Sequence, residues 1–240
     1  MPPTVERAKR PNDNLDRHGV KEILRSFFRI VIHLTVLLVA AGQARWFNAW
    51  FYFLLCLVLL VIHFSVLFKM NPKLINERGK GHDNTKTFDK IVYALWIPLT
   101  LLTLIVAGLD AVRYEWSHMS TRGIYLGAVL LVPAFFFGLW AMAVNRHFET
   151  TVRIQNDRDH QVCAAGPYRF VRHPGYASLI VTSLGTPFLL GSWWSLVPLG
   201  IIVLLFGVRT ALEDRTLQAG LPGYRVYATK TPYRLFPFVW

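Results

Sequence analysis

The sequence is short of charge and nearly devoid of cysteine. Only 17% of its 240 residues are Asp, Glu, Lys or Arg, below the roughly one quarter of a soluble domain, while 53% are apolar or aromatic. With a mean hydropathy of +0.35, 17 Phe and 8 Trp, this shortage excludes a disordered tail protein and makes a membrane the expected solvent. The two cysteines are Cys56 in an apolar run and Cys163, 107 positions later in a polar segment, so there is no disulfide framework and no CxxC zinc site. Free thiols and no metal are expected. No repeat, P-loop, GxSxG, HExxH or GxGxxG occurs, and no polar stretch is long enough for a separate catalytic domain.

What is present is a series of apolar runs. Trp46 to Phe68, Ile91 to Val112 and Gly123 to Val144 each reach the roughly 20 residues that cross a bilayer core of about 30 Å. Ile30 to Ala44 is shorter, and Ala177 to Leu190 is separated from Trp193 to Val208 only by Gly191 and Ser192. The sequence therefore predicts an all-α polytopic membrane bundle of about six transmembrane helices. Residues 1–25 form a cytoplasmic tail, residues 26–144 four spans, and residues 145–240 a region holding a tight helical hairpin.

Of the 26 Lys and Arg, 23 fall in alternate inter-span segments and 3 in the others. That asymmetry is the positive-inside pattern for six crossings with both termini cytoplasmic. It accounts for the net charge of +12 without a nucleic-acid partner, and membrane lipid is the expected neighbour. The charged leader before Ile30 is long for a signal peptide, so an uncleaved first helix is expected.

Several features carry no assigned chemistry. The tail can turn into an interfacial helix near Val20 to Phe28, and Lys69 to Lys90 reads as an irregular cytoplasmic connection. His33 and His63 are either ligand or pore residues or neutral histidines satisfied by neighbouring helices. Asp110 sits one turn from Arg113, where a local pair at the outer interface suffices. Pro98, Pro133, Pro187 and Pro198 predict kinks or breaks.

Chemistry gathers between Asn145 and Trp240. Gly166-Pro167 marks a turn, and His173-Pro174 forces His173 out of helical geometry while Pro174 suits the first helical position. A helix start beside Arg172 and His173 is a natural seat for an anion. Arg209 and Glu213, four apart, share a helical face, with Asp214 one residue round. The Gly191-Ser192 turn returns this arm antiparallel, so Arg172 to Tyr176 and Arg209 to Asp214 should meet on the cytoplasmic side. Such a cleft suits a zwitterionic cosubstrate presented to a lipid-like molecule. On residue chemistry alone, Arg209 and Glu213 could equally form an i,i+4 salt bridge and Arg172 a topology anchor.

The run Gly166-Pro167-Tyr168-Arg169-Phe170-Val171-Arg172-His173-Pro174-Gly175-Tyr176, followed by Glu213-Asp214, Gly223-Tyr224, Tyr227 and Tyr233-Arg234-Leu235-Phe236-Pro237, resembles the isoprenylcysteine carboxyl methyltransferase family. Its relatives include membrane phospholipid N-methyltransferases. The resemblance covers about 95 residues, from Asn145 onward. It implies an integral membrane enzyme that uses S-adenosylmethionine in a cytoplasmic pocket, with a lipophilic or prenylated substrate entering between helices. By the same resemblance, His160, Val162 and Cys163 edge the adenine. Tyr168, His173, Pro174, Tyr176, Glu213 and Asp214 bind the cofactor, and Arg209 lies near the reacting group, with Arg172 and Glu213 as further candidates for the chemistry. Two positions depart from the family pattern: Asp214 stands for a second Glu, and Ala177-Ser178 where a Gly is common.

If the acceptor is a carboxylate it is already ionised at neutral pH, and Arg209 or Arg172 need only orient it. A phospholipid amine would instead need Glu213 or His173 to accept a proton. Two other classes stand beside the methyltransferase. Membrane sterol reductases resemble the Arg-His-Pro-x-Tyr stretch and the Pro-Tyr-Arg tail, but Glu213-Asp214 is an unsuitable lining for the multiply anionic NADPH. A scaffold or transport subunit would make the polar cluster structural.

Overall fold

The computed structural model describes residues 15–80 and 85–240, so most of the expected tail lies outside the described residues. Every regular element among the described residues is helical, with no strand. Helix α1 runs Arg17–Ala41, α2 Phe47–Met70, α3 Pro72–Gly79, α4 Thr87–Gly108, α5 Arg122–Val144, α6 Pro174–Leu190, α7 Leu196–Gly220 and α8 Tyr224–Lys230. A π-helical turn, Leu109–Arg113, prolongs α4.

Helices α1, α2, α4, α5 and α7 are long and apolar enough to cross a membrane. Helix α6 has 17 residues, about 25 Å at 1.5 Å per residue, and falls short of a bilayer core. The expected interfacial helix and the expected first span are a single helix. Asp16 caps it by accepting from the His18 and Gly19 N–H groups, no proline interrupts it, and Gly42 ends it at a φ of 71°. The connection after α2 is also more ordered than its sequence suggests, because Pro72 starts α3. Its Arg78 lies 3.9 Å from the buried Glu22 of α1.

Helices α5 and α6 form the tightest pair. A Cβ on Gly127 would lie 2.7 Å from the Gly185 carbonyl oxygen, and one on Gly185 would lie 2.6 Å from that of Gly127. Close backbone approach through small residues is how helices associate where lipid removes the hydrophobic drive between them. The outward faces carry Val39, Leu54, Val58, Val61, Phe136 and Leu204, as a lipid-facing surface requires. Inside, Leu37, Ala49, Leu104, Ala107, Leu131 and Leu189 form one core, and Ala177, Leu199, Ile202 and Phe206 another where α6 meets α7. Pro98, Pro133 and Pro187 lie inside helices, and Pro198 in the first turn of α7, where a missing N–H costs nothing.

Asp110 does not pair with Arg113 as its spacing suggests. It is fully buried and accepts from the Ser117 and Ser192 hydroxyls at 2.7 and 2.6 Å and from the Trp194 N–H at 3.1 Å. It thereby ties the end of α4 to the α6–α7 turn.

Candidate active site

The two arms meet at the end of the bundle away from Asp110. Pro174 opens α6, Gly191 turns the chain at a φ of 78°, and α7 returns. Arg172 then clasps Asp214: Nε donates to Oδ1 at 2.8 Å and Nη2 to Oδ2 at 3.0 Å, a bidentate geometry. Its remaining Nη1 donates to the carbonyls of Thr231 and Pro232. Asp214 also accepts from Gln218 at 2.8 Å, Tyr224 at 3.0 Å and Arg234 at 3.1 Å, and lies 3.2 Å from His173 Nε2. A fully buried carboxylate is thus surrounded by groups from the segment just before α6, from α7 and α8, and from the C-terminal tail.

The tail completes this knot. The N–H groups of Arg172 and His173 donate to the carbonyls of Tyr233 and Arg234, each at 2.9 Å. Tyr227 donates to the Tyr168 carbonyl, and Asn145 to the Tyr168 hydroxyl. Burial raises the Tyr168 and Tyr224 phenols well above their usual range, and the Asp214 charge raises Tyr224 further. Both stay protonated; Tyr224 donates to Asp214, and the Tyr168 hydroxyl accepts from Asn145.

Glu213, one residue from Asp214, has a different setting. It is half-buried and accepts from the Tyr176 hydroxyl, and no basic side chain lies within salt-bridge distance of it among the described residues. The i,i+4 salt bridge that its spacing allows with Arg209 is not formed. Tyr176 stacks on the His173 ring at 5.8 Å. A carboxylate without a cationic partner, beside two parallel rings, fits the ammonium and sulfonium of S-adenosylmethionine.

Arg209 is buried among aromatic faces, its guanidinium carbon 4.9 Å from the Tyr176 ring, 5.0 Å from Tyr93 and 5.6 Å from Phe206. Nη2 donates to the Thr150 carbonyl and lies 2.7 Å from Asp89 Oδ1, an ion pair without the alignment of a hydrogen bond. Asp89 comes from α4, which packs along α7.

The loop from Asn145 to Ala165 is held by its own polar network. Arg153 is bracketed by Glu149 and Asp157, and the buried Gln155 is bound through its side chain to His147 and Arg158. The His147 and His160 rings lie 4.7 Å apart. His160 Nδ1 accepts from the Gln155 N–H, so that nitrogen carries no proton, and burial with the neighbouring His147 holds its pKa at about 4. Val162 and Cys163 are half-buried against Tyr168, Tyr224 and Tyr227, and burial raises the Cys163 thiol.

Residues 127–219 match the sequence model of the isoprenylcysteine carboxyl methyltransferase family, a stretch that opens in α5 and closes at the end of α7. That stretch is less than half of the chain, and it carries the likeness to this family. A Schizosaccharomyces pombe protein-S-isoprenylcysteine O-methyltransferase is 26% identical over 151 residues, 61% of this chain and 58% of the relative. The Arabidopsis thaliana protein-S-isoprenylcysteine O-methyltransferase B is 26% identical over 153 residues, 61% of this chain and 74% of the relative. A probable protein-S-isoprenylcysteine O-methyltransferase of Oryza sativa subsp. indica is 28% identical over 118 residues, 48% of this chain and 61% of the relative. The match thus spans less than two thirds of the yeast and rice relatives.

Within the family region the structure brings together Arg172, His173, Tyr176, Glu213 and Asp214, as their sequence positions predict. Arg209 stands one turn earlier on α7, Val162 and Cys163 pack on Tyr168, Tyr224 and Tyr227 beside the cluster, and His160 contacts His147 and Gln155 within the loop. Every donor nitrogen of Arg172 is engaged within the protein, and Asp214 is enclosed by protein donors. Asp89, Tyr93, Gln155, Tyr224 and Arg234 escape sequence reasoning as partners. Asp89 carried one signal, an acid at the very edge of an apolar span; Tyr224 and Arg234 lay within motifs but showed nothing of their target.

Proposed function

We propose that this protein is a membrane-embedded methyltransferase that uses S-adenosylmethionine to esterify the carboxylate of an isoprenylcysteine-like or otherwise prenylated substrate. The observation that carries this reading is the juxtaposition of Glu213, a carboxylate without a cationic partner, and the buried Arg209, both touching Tyr176. One holds positive charge and the other negative charge, a turn apart at the membrane edge. The family relationship supports the same chemistry.

In this reading S-adenosylmethionine supplies a methyl group on a positively charged sulfur. Glu213 holds its ammonium, Tyr176 lends an aromatic face, and the segment around His160, Val162 and Cys163 borders the adenine. His173 and Pro174 set the start of α6 beside its carboxylate. Arg172 and Asp214 fasten α6, α7 and the C-terminal tail into one body and so position the groups around them. Tyr168 anchors α8 through its backbone carbonyl, which accepts from Tyr227. Arg209 orients the acceptor carboxylate, which is ionised at neutral pH and needs no general base. Exclusion of water by Tyr93, Tyr176 and Phe206 keeps that carboxylate poorly solvated and nucleophilic. An amine acceptor would need a proton acceptor, and His173 Nε2 already faces Asp214.

Residues 145–240 form the catalytic region in this reading, and both termini face the cytoplasm. Reporters fused at residue 1 and after Trp240 should register the same side.

Calorimetric titration of the detergent-purified protein with S-adenosylhomocysteine and, separately, NADPH tests the class. Saturable binding of the first alone, followed by methyl transfer to N-acetyl-S-farnesyl-L-cysteine, is expected. Binding of NADPH alone would overturn the reading in favour of a reductase.

A further inference from the structure

Around Arg209 the structure leaves an unusual polar remainder. Arg209 and Asp89 are both buried, with side-chain exposures of 4% and 0%. Yet Arg209 Nε, Asp89 Oδ1 and Thr151 Oγ1 are enclosed without a hydrogen-bond partner. Unpaired buried polar atoms are rare in a finished core and mark either strain or a place where a ligand belongs. Two of them belong to one ion pair, and the third follows Thr150 in sequence, whose carbonyl that arginine engages. Thr151 lies between the Thr150 carbonyl, which receives Arg209 Nη2 at 2.7 Å, and the Val152 N–H, which donates to Asp89 Oδ2 at 2.9 Å. Tyr93, one turn after Asp89 on α4, donates to the same Thr150 carbonyl and presents its ring to the guanidinium.

Two segments far apart in sequence, α4 and the Thr150–Val152 stretch, thus hold the Arg209 guanidinium and leave its Nε–H unclaimed. An Nε–H and a threonine hydroxyl are two donors, the complement of a carboxylate. Asp89, anchored through its second oxygen by the Val152 backbone, cannot itself take the Nε–H, and its charge holds the Nη2 corner in place. Asp89 lies outside residues 127–219, so the family region does not contain it.

We infer that Asp89 is a positioning residue for the acceptor carboxylate: it fixes the rotation of Arg209 so that Nε–H and Thr151 Oγ form the acceptor's binding edge. This rests on the proposed methyltransferase reading, and it makes α4 part of the site. The acceptor class proposed for this edge is a carboxylate on a lipophilic chain, because the Arg209 Nε–H donates and the Thr151 hydroxyl can donate beside it.

The test compares Asp89→Asn, Thr151→Val and Arg209→Lys with the unaltered full-length protein in detergent. It measures S-adenosylhomocysteine binding by calorimetry and methyl transfer to N-acetyl-S-farnesyl-L-cysteine. Asp89→Asn should lower kcat/KM for the acceptor by about 10–100-fold, the cost of misplacing a reacting group by an ångström or less, while S-adenosylhomocysteine affinity stays within about twofold. Asp89→Glu should recover part of the loss, and Asp89→Asn in the Arg209→Lys background should add little, since the two act as one unit. Thr151→Val should raise the acceptor KM more than it lowers kcat. Unchanged acceptor kinetics in a folded Asp89→Asn protein, or equal losses in acceptor kinetics and S-adenosylhomocysteine affinity, would overturn the inference alone. An unaltered protein that binds S-adenosylhomocysteine but methylates no lipophilic carboxylate would overturn the functional reading, and the inference with it.

Discussion

Arg172 and Asp214, 42 positions apart in sequence, form a buried bidentate ion pair that closes the end of the α6–α7 hairpin. The remaining nitrogen of Arg172 and the remaining lone pairs of Asp214 are spent on the C-terminal tail, Gln218, Tyr224 and Arg234. This full satisfaction sets the pair apart from Glu213, which has no salt-bridge partner among the described residues, and from Arg209, whose Nε has no hydrogen-bond partner.

Asp214→Asn should therefore act on stability. Removing one charge of a buried pair strands the other and costs about 3–5 kcal/mol, so the thermal midpoint in detergent should fall markedly. Asp214→Leu with Arg172→Met should be less damaging than the two single losses added together, because neither charge is then left alone.

Glu213→Gln should do the reverse. Loss of a charged partner for the cofactor ammonium is worth about 1.5–3 kcal/mol, at least tenfold in the Kd for S-adenosylhomocysteine. The thermal midpoint should stay close to that of the unaltered protein. A drop in stability comparable to that of Asp214→Asn would show that Glu213 belongs to the fold and not to the site.

The loop that carries His160 should weaken in acid. Folding holds this imidazole at about 4 against its ordinary 6.5, so between those values the unfolded chain binds the extra proton. The contribution of His160 is fully present above pH 6.5 and is lost as pH falls toward 4. Burial lowers His147 in the same direction. Thermal midpoints followed from pH 7 to pH 4 should decline, and His160→Asn should flatten that decline. An identical slope in the variant would assign the acid sensitivity to other groups.

The α5–α6 crossing admits no side chain. Gly185→Leu would drive carbons into the Gly127 carbonyl and should destabilise the protein by about 1–3 kcal/mol, the usual cost of overpacking. Gly200→Leu on α7 meets nothing within 4 Å and should be tolerated. Equal effects of the two in a detergent melting series would argue against the close approach.

Much of this protein is readable from its order of residues. Runs of about 20 apolar residues can cross a bilayer only as helices, because the lipid offers no hydrogen bonds to an open backbone. Composition therefore dictates an all-helical bundle. His173-Pro174 and Gly191 likewise set where α6 begins and ends, through φ restrictions that act within two residues. Helical periodicity and a short turn bring the Arg172 segment to Glu213 and Asp214 as a matter of chain geometry.

What periodicity cannot specify is which partner each charge chooses. A spacing of four offers Arg209 the carboxylate of Glu213, and a spacing of three offers Arg113 that of Asp110, but neither pair forms. Arg209 turns to Asp89 and Asp110 to two serines, because in a buried setting a charge settles where several donors or acceptors converge. Those groups are assembled by the packing of α4 against α7 and by the α6–α7 turn. The length of α1, the helix Pro72–Gly79 and the return of the C-terminal tail to Arg172 are decided in the same way. Each depends on contacts across long stretches of sequence, and only the tertiary structure brings those residues within hydrogen-bonding distance.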